Sequence, residues 1–174
     1  MNGPDIMFAC ENRREATRLV VATDGSGRDH GAGGYGWISA EGHYGYGLTV
    51  TSESHQSEII AICTAAVAPE LLDRELLILS DSQAAVELLN RCFDHGVGSI
   101  RRTSRHPVRW MRQAYEQRHR VRLAWIKGHS GHPLNSAADR LANLAITEGT
   151  GMPACHAKDE AELVRELILR GFCP

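Results

Sequence analysis

Residues 19–26 read Leu-Val-Val-Ala-Thr-Asp-Gly-Ser. Leu19 to Thr23 are apolar or β-branched, which predicts a buried strand, and Asp24-Gly25-Ser26 predicts a turn that ends it. A carboxylate at the end of a buried strand costs free energy unless something compensates it. In open α/β sheets, ligands collect beyond the carboxyl ends of the strands. The same pattern recurs at Leu76 to Leu79, an apolar run that leads into Ser80-Asp81-Ser82.

Between these two strands the pattern changes twice. Gly25 to Gly36 is glycine-rich and reads as a loop; no Gly-Lys-Ser/Thr follows, so it is not a Walker phosphate loop. Tyr35 to Ser39 and Tyr44 to Thr51 read as two strands joined by a short turn, hence an antiparallel hairpin. Ser52, Ser54 and Ser57 offer helix caps, and Glu58, Ile59, Ile62, Cys63 and Ala66 then recur at helical spacing. Beyond Asp81, Ala84 to Cys92 is helical and Asp94 to Pro107 irregular. Val108 to His119 is a helix with Val108, Met111 and Tyr115 inward. Val121 to Ile126 is a strand and Leu134 to Thr147 a helix. The order β-β-β-α-β-α-α-β-α predicts an α/β fold: a five-stranded mixed sheet, made of a three-strand antiparallel meander plus parallel strands, flanked by helices. Residues 1–17 form an extension, 18–148 the domain, and 149–174 a linker (Gly149 to Lys158) with a short helix over Asp159 to Arg170. That helix carries Leu163, Val164, Leu167 and Ile168 on one side.

At 174 residues, 43% hydrophobic and 23% charged, the chain has room for one domain with a proper core. No apolar run is long enough to span a bilayer, and the first residues lack the order of a secretory signal, so a cytoplasmic protein is expected, with no membrane partner and as a monomer. The five cysteines are scattered, odd in number and without a Cys-x-x-Cys pair, which excludes a disulfide framework and a cysteine zinc site. Cys155-His156 has no second pair of ligands nearby. The net charge of −2 hides a basic run, Arg101, Arg102, Arg105, Arg109, Arg112, Arg118, Arg120 and Arg122, opposed only by Glu116. Such a run is either a phosphate-binding surface or a solvated helix face.

Two more acids, Glu58 and Asp139, fall in the first turns of helices at the edge of apolar faces. If the two parallel strands are adjacent, Asp24, Glu58, Asp81 and Asp139 converge on one end of the sheet. Four crowded carboxylates repel one another; they raise each other's pKa values or demand a cation. Oxygen ligands without cysteine point to Mg2+, with Mn2+ as a substitute. Two such ions grip the attacking and leaving oxygens of a phosphodiester. Each acid alone also fits a plain role: Asp24 in a turn, Asp81 as a helix N-cap, Glu58 against a helix dipole, Asp139 paired with Arg140.

The full set of motifs carries a resemblance. Thr23-Asp24-Gly25-Ser26, Gly33-Gly34-Tyr35-Gly36, Ser57-Glu58-Ile59-Ile60-Ala61, Ser80-Asp81-Ser82-Gln83, Trp125 to Pro133 (WIKGHSGHP), Asn135 and Ala138-Asp139-Arg140-Leu141-Ala142 follow in order from about Leu19 to Ala145. Together they resemble the type 1 ribonuclease H family, and the Lys-Gly-His-x-Gly-His-Pro stretch with its downstream Asp is the most specific. The resemblance implies an endonuclease that hydrolyses the RNA strand of an RNA–DNA hybrid, leaving 5′-phosphate and 3′-hydroxyl ends. It implies that Asp24, Glu58, Asp81 and Asp139 hold two Mg2+ ions, with Asp24 bridging both. It gives His129 a role in proton transfer or product release, which suits a side chain that titrates near neutral pH. His132 and Asn135 are expected to fix the loop and cap the last helix.

The hybrid exposes 2′-hydroxyls on one strand only, so a protein can recognise RNA without reading sequence. The resemblance places that contact at Gly25, Ser26 and Gly27, where glycine lets backbone amides approach closely, and at Ser54, His55 and Gln83. Many relatives carry asparagines where this chain has Ser54 and His55. Many bacterial relatives also carry a basic, tryptophan-rich protrusion. Here the matching region, roughly Arg91 to Pro107, is short and lacks tryptophan; Arg101, Arg102, Arg105 and Arg109, with Trp110, are the candidates to replace it. Alternatives are a nuclease of the same scaffold acting on double-stranded RNA or a DNA junction, and a non-catalytic hybrid-binding domain. A serine hydrolase is excluded by the lack of a Gly-x-Ser-x-Gly elbow.

Overall fold

In a computed structural model the described residues are 18–27, 31–51, 53–100, 107–128, 131–149, 151 and 154–171. Strands β1 (Leu19–Ser26), β2 (Gly33–Ser39), β3 (Tyr44–Thr49), β4 (Leu76–Ser80) and β5 (Val121–Trp125) form one sheet in the order β3-β2-β1-β4-β5. β1 pairs antiparallel with β2 and parallel with β4, β2 pairs antiparallel with β3, and β4 pairs parallel with β5. The expected meander and adjacent parallel strands are therefore both present. Helices α1 (Ser54–Ala66), α2 (Gln83–His95), α3 (Val108–Glu116), α4 (Pro133–Gly149) and α5 (Ala154–Leu169) cover the two faces.

Side chains alternate across the sheet because a strand has period two. Leu19, Val21 and Trp37 point into a core built with α1, α2 and α3. Ala22, Ile38 and Leu79 point the other way, into a second core with α4 and α5. α1 is buried along almost its whole length, from Ser57 to Ala66. It is a core helix with buried residues on every side rather than a half-exposed one, which is why its apolar spacing is less clean than that of a surface helix.

Several boundaries differ from those read in the sequence. Asp24-Gly25-Ser26 is not a turn: it stays in β1 and pairs with Gly36, Tyr35 and Gly34 of β2. Likewise β2 begins at Gly33, so the end of the glycine-rich stretch is strand. The reason lies in packing against α4. A Cβ on Gly34 would meet the backbone carbonyl of Ala142, and one on Gly36 would lie 2.5 Å from that of Ala138. Glycine there lets the helix settle directly on the strand. α2 runs on to His95, and a 3-10 turn at Val97–Ser99 replaces part of the expected irregular segment. α3 ends at Glu116, with Met111 and Ala114 buried.

The chain after Thr147 is more ordered than expected. α4 continues to Gly149 and α5 starts at Ala154, so helix occupies most of the expected linker. The buried face of α5 is Ala157, Ala161 and Val164 in the second core, while Leu163 is exposed. Small residues were passed over in favour of leucines, although alanines are what allow α5 to pack closely. Tyr44 Oη donates to Glu162 at 2.9 Å, and Arg165 Nε donates to the Gly42 carbonyl at 3.1 Å, tying α5 to the β2–β3 hairpin.

The arginine run is divided by the fold. Arg109, Arg112, Arg118 and Arg122 are exposed, and Arg118 lies over the Tyr115 ring at 4.0 Å. Arg101, Arg102 and Arg105 lie outside the described residues. Arg120 is no surface residue: it is 6% exposed. Its guanidinium donates to the carbonyls of Leu71 (2.7 Å), Arg74 (2.9 Å) and Ala66, and to Gln117 Oε1 (2.9 Å). It thereby caps the carboxyl end of α1 and pins the chain entering β4 to the end of α3. A planar five-donor group suits this and an ammonium does not. Arg120→Ala is expected to cost about 3 kcal/mol in urea unfolding, because buried carbonyls lose their donors. Arg120→Lys should recover less than half of that. A loss under about 1 kcal/mol for the alanine variant would show that water replaces the guanidinium at no penalty.

Candidate functional site

The β1–β4 ladder stops at Thr23 and Ser80, whereas β1 continues beside β2 to Ser26. Past that point β1 has one neighbour only, and a cleft of about 370 Å³ opens there. Asp24, Glu58, Asp81 and Asp139 all line it, from four different elements or their ends. Gly25, Ser26, Gly27, Ser54, His132 and Asn135 line it as well. Of the other residues singled out in the sequence, His129, Arg101 and Arg102 lie outside the described residues. His55 and Gln83 do not line the cleft; Gln83 is exposed and its Nε2 donates to Glu87 Oε1 at 2.8 Å.

Each acid is placed by a different piece of local structure. Asp24 points to the α4 face of the sheet, in line with Ala22, and is 8% exposed. Gly25 points the opposite way, where a Cβ would strike the backbone of Ser57 and Glu58. That close approach brings α1 against the end of β1 and carries Glu58 into the cleft. Glu58 sits in the second turn of α1, not the first, and is buried; Ser80 Oγ faces its Oε2 at 3.5 Å. Asp81 directly follows β4. It does not cap α2, whose N-cap position is Ser82, so its side chain is free to serve the cleft. Its Oδ2 accepts from Asn135 Nδ2 at 3.3 Å, and its carbonyl accepts from Trp125 Nε1 at 3.1 Å. A Cβ on Gly128 would lie 2.8 Å from Asp81 Oδ2. Asp139 is exposed, in the second turn of α4. Arg140 pairs with Glu160 of α5 and not with Asp139.

Carboxylate oxygens of Asp24, Glu58 and Asp81 lie within 4.8 Å of one another. Asp139 faces the same cleft and is close enough for its charge to act on Asp24. Burial pushes the Asp24 carboxyl up to about 7, helped by the charges of Asp139 and Asp81. Burial pushes Glu58 up to about 9, helped by Asp24 and Asp81. Such a set of hard oxygen donors fits Mg2+, Mn2+ or Ca2+ and does not fit a metal that prefers sulfur or imidazole. Two buried polar atoms near the cleft, Asn135 Oδ1 and His132 Nδ1, have no hydrogen-bond partner among the described residues. Buried polar atoms rarely stay unpaired, so a hydrated ion or a ligand suits this wall. The sequence assigned Asn135 to a helix cap; the structure gives it Asp81 instead, a contact between residues 54 positions apart that no local pattern encodes.

Comparison with known proteins identifies the family. A sequence profile of the family described as RNase H matches residues 16–147. The ribonuclease H of Methylococcus capsulatus is 39% identical over 143 residues, covering 75% of this chain and 90% of that protein. The ribonuclease H of Tropheryma whipplei is 30% identical over 134 residues, covering 73% and 83%. The chain belongs to the RNase H family. Its fold is that of solved RNase H domains. RNase H1 of Halobacterium salinarum superposes with a TM-score of 0.56 at 20% identity, covering 75% of this chain and 98% of that one. The N-terminal RNase H domain of a Mycobacterium tuberculosis protein gives 0.57 at 20% identity, covering 77% and 96%. The RNase H match ends just before the close of α4, so α5 packs on the family domain from outside the matched span.

The raised carboxyl pKa values fix a sign. Unfolded Asp and Glu titrate near 4. With chelator present, the folded chain keeps protons that the unfolded chain has released, from about pH 4 up to the folded values. Stability from these groups is therefore complete at the acid end and lost as pH rises through about 7 and 9. Asp24→Asn is expected to raise the thermal midpoint at pH 8 in chelator by roughly 5 °C, and by far less at pH 5. Saturating Mg2+ should raise the wild-type midpoint and not that of the variant. A wild-type-minus-variant difference that does not change between pH 5 and pH 8 would mean Asp24 is not destabilised in the fold.

Proposed function

We propose that the protein is a ribonuclease H that cleaves the RNA strand of RNA–DNA hybrids endonucleolytically, leaving 5′-phosphate and 3′-hydroxyl ends. The observation that supports this best is the convergence of Asp24, Glu58, Asp81 and Asp139 on one cleft in a chain of the RNase H family. A non-catalytic binding domain would carry the cost of that repulsion without any benefit. On this reading the protein works as a cytoplasmic monomer. Among the described residues no helix is long and apolar enough to cross a membrane.

Asp24, Glu58, Asp81 and Asp139 would hold two divalent cations, Mg2+ with Mn2+ as a substitute. Bound there, such ions supply charge neutralisation at the scissile phosphate and activation of the attacking water. The chain's own residues set the stage for that. Asp24 and Glu58 are anchored by packing and carry the buried charge. Asp81 is steered by Asn135 and Trp125. The backbone at Gly25 to Gly27, with Ser54, lines the same cleft and offers close approach to a sugar–phosphate strand. His55 and Gln83 extend that contact surface beyond the cleft, and Arg101 and Arg102 grip the DNA strand. His129 moves a proton at the leaving oxygen or helps product leave, a role suited to imidazole.

Incubation with labelled RNA–DNA hybrid, double-stranded RNA and double-stranded DNA tests the reading. Cleavage of the hybrid alone, abolished by chelator and restored by Mg2+ or Mn2+, is expected. Cleavage of double-stranded RNA at an equal rate would move the assignment to another substrate of the same scaffold. Asp81→Asn should lower kcat by at least about a hundredfold with an unchanged thermal midpoint in chelator. Full turnover in that variant would remove Asp81 from the site. Arg101→Ala with Arg102→Ala should raise KM and reduce the salt slope of binding by about two.

A further inference from the structure

Asn143 lies one helical turn beyond Asp139 on α4, and no motif in the sequence marks it. Its Nδ2 donates to Asp139 Oδ1 at 2.9 Å and to the Asp139 carbonyl at 3.0 Å. Its Oδ1 accepts from the Ser26 hydroxyl at 3.2 Å. An ionised carboxylate only accepts hydrogen bonds, so the amide must turn its nitrogen to Asp139 and its oxygen to Ser26. The result is a one-way chain of donors from β1 to α4. Ser26 is two residues after Asp24 on β1, so both point to the sheet face that α4 covers. The chain thus links the strand that carries Asp24 to the helix that carries Asp139.

Asp139 has more need of such a restraint than Asp24 or Glu58. Those two are held by packing, whereas Asp139 is exposed and its rotamer is not fixed by neighbours in a core. A basic residue could also hold it, but would neutralise it and compete with a cation. An amide orients a carboxylate and leaves its charge in place. We propose that Asn143 is a positioning residue: oriented by Ser26, it holds the Asp139 carboxylate in register with Asp24 for divalent-cation binding. This rests on the reading of Asp139 as a cation ligand.

Two measurements on the full chain test it: titration calorimetry with MnCl2 in the absence of nucleic acid, and hybrid cleavage as a function of metal concentration. Asn143→Ala is expected to weaken Mn2+ binding and raise the metal concentration for half-maximal rate by about tenfold each. KM for hybrid should stay within about twofold, because the amide acts through a metal ligand and not through substrate. Asn143→Gln, which keeps an amide donor, should recover part of the loss. Ser26→Ala should shift the same metal dependence by less, and the double variant should be no worse than Asn143→Ala, since both act through one chain. Ser26→Ala leaves α4 untouched and keeps the test valid if the helix variant unfolds. Unchanged Mn2+ affinity in Asn143→Ala, with Asp139→Asn inactive, would overturn the positioning role and leave the site reading intact. A rise in KM without a metal shift in Ser26→Ala would assign that hydroxyl to substrate and also overturn it. Full activity of Asp139→Asn would remove both.

Discussion

Repulsion among four carboxylates at the end of β1 is the constraint around which this molecule is organised. Two of them, Asp24 and Glu58, are almost out of contact with water. Desolvation and mutual charge both push them towards the protonated form. Left to itself such a cluster would spread apart or take up protons. It persists because each acid is fixed to a different rigid element, and those elements are locked by cores on both faces of the sheet. The unfavourable site is thus sustained by packing far from it.

The geometry that makes this work is a mismatch between two ladders. β1 is flanked by a longer antiparallel partner and a shorter parallel one. The residues beyond Thr23 therefore keep their extended conformation on one side while a gap opens on the other. Into that gap come α1 from one face and α4 from the other, each admitted by glycine. Gly25 has no room for a Cβ because α1 crosses there, and Gly34 and Gly36 have none because α4 lies on β2. The glycines in this part of the chain serve close approach of backbones as much as flexibility.

Much of this was legible in the sequence and some was not, for physical reasons. Asp24 and Asp81 were visible because each follows an apolar run directly, a pattern that local reading detects. The adjacency of β1 and β4, which brings them together, is a long-range pairing that follows only from the topology. Gly33 and Gly34 were left out of β2 because glycine is a poor strand former by propensity, and here contact with α4 overrides propensity. The face of α5 was read in part: Val164 and Ile168 do face the second core, but leucines were weighted above Ala157 and Ala161. Arg120 was counted with its neighbours because charge alone cannot distinguish a guanidinium on the surface from one that caps buried carbonyls. Asn135 and Asn143 carried no signal as ligands of carboxylates, since their partners lie elsewhere in the chain or one turn along an ordinary helix.

Arg120 also clarifies how the strain is contained. It sits at the opposite end of the parallel strands from the acids: β4 begins beside it, with the Leu76 amide donating to its carbonyl at 2.8 Å, and ends at Ser80, just before Asp81. At that far pole each nitrogen of the Arg120 guanidinium finds an oxygen, and α1 is capped. At the acid pole carboxyls crowd one another and one ladder is open. The two poles of α1 make the contrast concrete, since Glu58 near its start and Ala66 at its end are joined by one buried helix. Fixing the carboxyl end of α1 opposes any slide of the helix that would relieve the crowding at Glu58. Stability is thus concentrated at one end of the sheet so that an unfavourable but useful arrangement can be held at the other.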